Sequence, residues 1–198
     1  YLPYEDVKRL HAGLPPRVML VLDGAYAEFV RKNDYAAGIE LVSQFENVVM
    51  TRTFSKLHGL AGLRLGWAYA PAHIVDAIER VRMPFNTNLV VQAAGIAALE
   101  DEGFIQLSLE HNDRELARLT RELRAMGLGV MDSVGNFVVV EFADAKTAAA
   151  ALEYMKHRGV TLRGLAGYRM ADRLRISVGT VAGNDAALAG IKDFLAGK

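Results

Sequence analysis

The sequence predicts an α/β protein: a mostly parallel sheet domain followed by a small α+β domain. Three observations predict it. "RVMLVLD" (17–23) is an unbroken apolar run closed by an aspartate, as in a strand buried on both faces of a helix-covered parallel sheet. Strand and helix patterns then alternate as far as residue 82. After Gly127 and Gly129 the character changes to short strands around one helix. Residues 1–105 are expected to form the sheet domain. Residues 106–198 are assigned to an interdomain helix and the small domain.

The elements follow in chain order. Residues 4–13 carry a helical pattern ended by Gly13 and the pair Pro15 and Pro16, which cannot continue it. The run 17–23 is the first strand, 35–45 reads as a helix, "NVVMT" (47–51) as the second strand and "LRLGWAYA" (63–70) as the third. A helix over 72–82 stops near Pro84, and a long helical stretch covers 88–126, with breaks expected at Gly95 and Gly103. "NFVVVEF" (136–142), "GVTLR" (159–163) and "RLRISVG" (173–179) are short strands, and a helix over 144–159 joins the first two. The last helix is expected to be capped by Asn184 or Asp185 and to run to about 196. No repeat or low-complexity segment stands out. The opening "YLPYEDVKRLHAG" has no initiator methionine and is already amphipathic, which points to a piece of a longer protein.

Composition narrows the function. The 198 residues are 52% hydrophobic and 23% charged, a globular balance. Lys+Arg and Asp+Glu both number 23, so the net charge of zero gives no electrostatic reason for a nucleic-acid or membrane partner. Without cysteine there are no disulfides or thiolate metal sites, and this is compatible with the cytoplasm. The five histidines are scattered, with neither metal-ligand spacing nor Ser-His-Asp logic, so no metal is expected. No apolar run reaches the roughly 18–20 residues of a membrane helix.

The chemistry concentrates in "TRTFSKLHGLAGLRLGWAYAP" (51–71), which sets Lys56 and Arg64 among glycines and apolar residues just after a strand. α/β sheets place their ligands there. Thr53, Ser55, the turn backbone and Arg64 can together hold a phosphate. The pattern GxxxxGK[ST] is not met, because the lysine precedes the glycines, which argues against a nucleoside triphosphate. A lysine amine in such a turn is a nucleophile toward carbonyls. An aldehyde that also carries a phosphate suits the pair, and pyridoxal phosphate is one. Its ring needs an anion to keep the pyridine nitrogen protonated, and Asp23 closes the first strand with Tyr26 three residues on. His58 is close to Lys56 in sequence but is not expected to act as a base.

With "VLDGAYAEFV", "RTFSKLHGLAGLRLGWAYAP", "RMPFNTNLVVQAAGIAALED", "GNFVVVEF", "GVTLR" and "LRISVGT" in this order, the chain resembles the pyridoxal-phosphate-dependent aminotransferases of the aspartate-aminotransferase fold, fold type I, class I/II. Among them it is similar to the histidinol-phosphate aminotransferases, and the likeness covers nearly the whole chain. The resemblance implies roles. Lys56 would hold the aldehyde of pyridoxal 5'-phosphate covalently and then move a proton between substrate and cofactor. Asp23 would pair with the pyridinium, Tyr26 would hydrogen-bond the ring's phenolic oxygen, and Thr53, Ser55 and Arg64 would bind the phosphate.

Arg175 would grip the substrate carboxylate through its planar fork, taking a phosphate from one substrate and a carboxylate from the other, with Arg163 sharing the task. Asn136 matches a family asparagine and is read as structural. Gly24 stands where the family has glutamate, and that position is expected to point away from the cofactor. The implied reaction moves an amino group between L-histidinol phosphate and 2-oxoglutarate, giving imidazole-acetol phosphate and glutamate, in histidine biosynthesis by a cytoplasmic homodimer. The other readings are an aromatic amino-acid aminotransferase, a threonine-phosphate decarboxylase, or the aminotransferase-like sensing domain of a transcription regulator. The family's upstream motifs lie outside these residues, so the activity expected belongs to the complete protein.

Overall fold

The computed structural model describes residues 1–197, so Lys198, the last residue of the expected second domain, lies outside. The described residues form two compact units, Tyr1–Ser108 and a second that begins at Leu109. In the first, α1 (Tyr4–Ala12) carries Glu5 and Asp6 in its first turn and Arg9 and His11 in its last, matching the helix dipole. β1 (Leu20–Asp23) runs parallel to β2 (Val48–Thr53), pairing Leu20 with Val48 and Asp23 with Thr51. β3 (Gly66–Tyr69) is antiparallel to β2, with Thr53 opposite Gly66, so this sheet is mixed and ordered β1-β2-β3. Val7, Leu41, Val42, Val48 and Met50 form its core cluster. Each large apolar side chain buried there contributes about 1.5–3 kcal/mol.

Several expectations shift. Within this chain β1 alternates half-buried and exposed positions, where the run 17–23 predicts burial on both faces. An apolar run alone cannot separate the two cases. The helix expected over 35–45 shrinks to α2 (Ile39–Val42), because Gly38 before it sits at φ 111, outside helical backbone. The third strand starts only at Gly66. Ala61–Leu63 form a 3-10 turn and Arg64 follows at φ 57 in the left-handed region, which a strand cannot contain. α3 spans Ala72–Val81.

The stretch 88–126 divides into α4 (Leu89–Glu100), capped by the Asn88 side chain, and α5 (Glu102–Ala125). The break falls at Asp101, whose carboxylate accepts from Phe104 N at 2.9 Å, and both Gly95 and Gly103 are helical. Gly95 is there for close approach: a Cβ on it would lie 2.6 Å from the Leu65 side chain.

The second unit is an antiparallel sheet ordered β4-β5-β7-β6, covered by helices. β4 (Gly129–Met131) was not foreseen; β5 is Phe137–Glu141, β6 is Arg163–Gly164 and β7 is Arg173–Ser177. Val138, Val140, Leu174 and Ile176 point inward, onto Leu119 and Leu123 of α5, Ala148, Ala151 and Met155 of α6 (Ala145–His157), and Ala187, Leu188 and Ile191 of α7 (Val181–Leu195). Residues 137, 139, 141, 173, 175 and 177 therefore take the opposite face.

The cap of α7 is Thr180, whose hydroxyl accepts from Gly183 N, rather than Asn184 or Asp185. Asn184 is 2% exposed and committed elsewhere: it donates to the Glu115 carboxylate at 2.8 Å and accepts from Gly179 N at 2.9 Å. The structure also exposes a recurrence. "GLAGLRL" (59–65) and "GLAGYRM" (164–170) both fold as a 3-10 turn closed by a left-handed arginine, Arg64 at φ 57 and Arg169 at φ 60.

Candidate functional site

The carboxyl ends of β1 and β2 and the start of β3 meet at one edge of the first sheet, and the register brings Asp23, Thr53 and Gly66 there. Beyond Thr53 the chain is pinned on both sides. Phe54 N donates to Leu65 O at 3.0 Å, Leu60 N to Phe54 O at 3.0 Å, and Gly59 N to Lys56 O at 3.0 Å. Phe54 and Leu57 are buried, so Ser55 and Lys56 are held half-exposed between two apolar anchors. The Thr53 hydroxyl accepts from Ser55 N at 3.1 Å and donates to Leu65 O at 3.4 Å, which shapes the turn.

Tyr26 reaches the same place from β1. Gly24 N donates to Thr51 O at 2.9 Å and Ala27 N to Gly24 O at 3.0 Å, turning the chain so that the Lys56 ammonium lies 5.2 Å over the Tyr26 ring. Asp23 is exposed, and its carboxylate accepts from Ala25 N at 3.1 Å. Arg64 is exposed too and donates to Ala61 O at 2.8 Å. A non-glycine residue in left-handed backbone costs of order 1 kcal/mol or more and tends to mark functional turns. Among the described residues, neither Lys56 nor Arg64 has a carboxylate partner.

These residues fit a phosphorylated aldehyde with a basic ring: an amine, a carboxylate, a phenol, two hydroxyls and a guanidinium come from one sheet edge. Gly24 turns toward Arg52, where a Cβ would lie 2.9 Å from Arg52 Cδ. Arg52 donates from Nη2 at 2.8 Å and from Nε at 3.2 Å to one oxygen of Glu28, tying the Tyr26 segment to β2, and sequence reading passed over this pair. His58 packs on Phe54 with ring centroids 5.0 Å apart, and its Nδ1 is buried with no hydrogen-bond partner. The groove of about 730 Å³ in this unit lies at the opposite end of the sheet, between Met19 and Asn47. Its His11 and His73 are already bonded to Asn47 and Glu46.

Arg163 and Arg175 belong to the second unit. They are direct partners across β6 and β7 and lie on the sheet face away from its core. Arg173, two residues from Arg175 on that face, is paired with Glu141 at 3.3 Å and Asp172 at 3.8 Å. Among the described residues, no carboxylate pairs with Arg163 or Arg175. Arg175 lies 5.1 Å over the Phe137 ring and its Nε is buried without a hydrogen-bond partner, while Arg163 lies 5.9 Å over Tyr168. Asn136 enters through its backbone, its carbonyl accepting from Val178 N at 2.8 Å.

A buried polar group that sequence reading missed holds the ends of these strands. Glu115, 3% exposed, accepts from Arg118 at 2.7 Å and from Asn184, and those bonds hold its carboxyl below the usual carboxylate range. Glu115 and Asp185, in turn, hold the Arg118 guanidinium above its usual value. Asn112, one turn before, donates to Gly135 O at 3.2 Å, next to Asn136. The signal was available: Asn112 and Glu115 share a helical stripe with Leu119 and Leu123.

Comparison with known proteins adds the following. The family described as aminotransferase class I and II matches residues 2–191. A histidinol-phosphate aminotransferase of Rhodopseudomonas palustris is 48% identical over 198 residues, covering 99% of this chain and 54% of that protein. The same figures hold for one from Nitrobacter winogradskyi. The chain thus spans about half the length of these curated relatives. Among solved structures, histidinol-phosphate aminotransferase from Sinorhizobium meliloti in complex with pyridoxal-5'-phosphate superposes with a TM-score of 0.90 at 30% identity. It covers 100% of this chain and 54% of that one.

Proposed function

This chain belongs to the aminotransferase class I and II family, and from that premise we propose that the complete protein moves an amino group between L-histidinol phosphate and 2-oxoglutarate. The observation that carries the chemistry is the half-exposed Lys56 amine over the Tyr26 ring, at a sheet edge that also presents Asp23, Thr53 and Arg64. The substrate rests on the likeness to histidinol-phosphate aminotransferases along the whole chain. That likeness favours it over the aromatic aminotransferase, decarboxylase and regulator readings.

Pyridoxal 5'-phosphate, when bound, supplies an electron sink that stabilises negative charge at the substrate's α-carbon. Lys56 would hold the aldehyde and then carry the proton to and from that carbon. Asp23 would keep the ring nitrogen protonated, and Tyr26 would donate to the ring oxygen. Thr53, Ser55 and Arg64 would bind the phosphate. Arg163 and Arg175 would bind the oxyanion of either substrate, the phosphate of one or the carboxylate of the other. In this reading residues 1–105 carry the cofactor side and 106–198 the small domain. The complete protein would work as a homodimer in the cytoplasm. The apolar helix α4, with Leu89, Val90, Ile96 and Leu99 exposed, supports burial against further protein.

The test is an assay of the purified complete protein with L-histidinol phosphate, phenylalanine and threonine phosphate as alternative donors. The proposal expects glutamate formation from 2-oxoglutarate with kcat/KM highest for L-histidinol phosphate. A higher kcat/KM with phenylalanine, or carbon dioxide release from threonine phosphate, would replace the substrate assignment.

A further inference from the structure

Arg163 and Arg175 stand opposite one another in register with no acid between them, and like charges so placed destabilise a sheet. Arg173 shows the ordinary remedy, a carboxylate on the neighbouring strand. We propose that Tyr168 and Phe137 take the place of that carboxylate as positioning residues, presenting the two arginines with their charge uncancelled and most of their N–H donors open. This rests on the reading of Arg163 and Arg175 as substrate-binding.

The physical contrast decides it. A carboxylate would occupy the guanidinium fork and cancel the charge that a substrate oxyanion has to meet. A ring face attracts the cation through its quadrupole within about 6 Å and takes up none of the N–H edge. The distances, 5.9 Å for Arg163 over Tyr168 and 5.1 Å for Arg175 over Phe137, lie within that reach. Among the described residues the buried Nε of Arg175 has no acceptor, which leaves that donor for a bound anion; the Nε of Arg173 also lacks a hydrogen bond, but carboxylates face its charge. Arg163 makes one further contact, a long 3.5 Å bond to the Tyr168 hydroxyl.

Within this chain 61% of Tyr168 is exposed, and its ring lies 5.9 Å from the Arg163 guanidinium. Its turn does not need a ring. The turn Ala61–Leu63 has the same GLAG-x-R sequence, the same 3-10 geometry and the same left-handed arginine, with Leu63 where Tyr168 stands. The ring at 168 is therefore an addition to a turn that forms without it, and its contact is Arg163.

The test uses the complete protein with Tyr168→Leu, which the twin turn shows to be compatible with the fold, beside Tyr168→Phe, Phe137→Leu, Arg163→Met and Arg175→Met. KM and kcat are measured for L-histidinol phosphate and for 2-oxoglutarate. Loss of either ring should raise KM about fivefold, with kcat changed less than KM, and Tyr168→Phe should stay within about twofold of the parent. If the leucine variants leave KM unchanged while the methionine variants raise it, the arginines bind without the rings and the proposal is overturned. An effect of Tyr168→Phe as large as that of Tyr168→Leu would overturn it too, since the hydroxyl would then be the support. If both methionine variants leave KM unchanged, the reading of the arginines fails first, and this inference with it.

Discussion

Lys56 is placed by its neighbours. Phe54 and Leu57 anchor the turn from below, Gly59 N holds the Lys56 carbonyl, and the Tyr26 ring receives the ammonium at 5.2 Å. In the complete protein Lys56→Ala should lower kcat by roughly a thousandfold, the scale of a lost general acid–base, while the fold, read by circular dichroism, stays intact because the side chain is half-exposed. A fall of less than about tenfold would remove the lysine from the chemistry. That Asp23, Tyr26, Thr53 and Lys56 gather at one sheet edge was legible in the sequence, because strand ends in an α/β sheet converge there. How they are supported was not. The Arg52–Glu28 pair joins residues 24 apart, and the ring under Arg163 depends on the hand of a turn, which residue order does not specify.

At the scale of elements, the polar group of α5 and α7 sets a pH dependence. Arg118 and Asn184 hold Glu115 below its usual range, so the folded chain binds fewer protons there than the unfolded one. That stabilisation is complete above the ordinary glutamate value of about 4.3 and is lost as pH falls through the lowered one. Glu115→Gln should therefore cost about 2 kcal/mol in urea unfolding at pH 7, and the gap to the parent should narrow toward pH 3. A gap equal at both pH values would contradict the assignment. The same group explains why the start of α7 was misread: Thr180 and Asn184 are both good caps, and the buried bond to Glu115 decides between them. Gly95 misled in a similar way, marking contact with Leu65 rather than a helix end. β4, three residues long, was too short for any alternation to register.

For the whole molecule, the order of the motifs identified the family, and the match over residues 2–191 agrees with it. The extent of parallel pairing was less legible, since β3 turns antiparallel after a left-handed Arg64 that an apolar sequence does not announce. The chain's balanced charge leaves recognition to local groups: Lys56 and Arg64 in one unit, Arg163 and Arg175 in the other, each without a carboxylate partner among the described residues. The central claim is that Lys56 holds the aldehyde of pyridoxal 5'-phosphate. The most direct measurement is borohydride reduction of the complete protein with that cofactor, followed by mass spectrometry of its peptides. A single modified peptide containing Lys56, absent from Lys56→Ala, is the predicted result. No modification, or modification spread over surface lysines and unchanged in that variant, would contradict it.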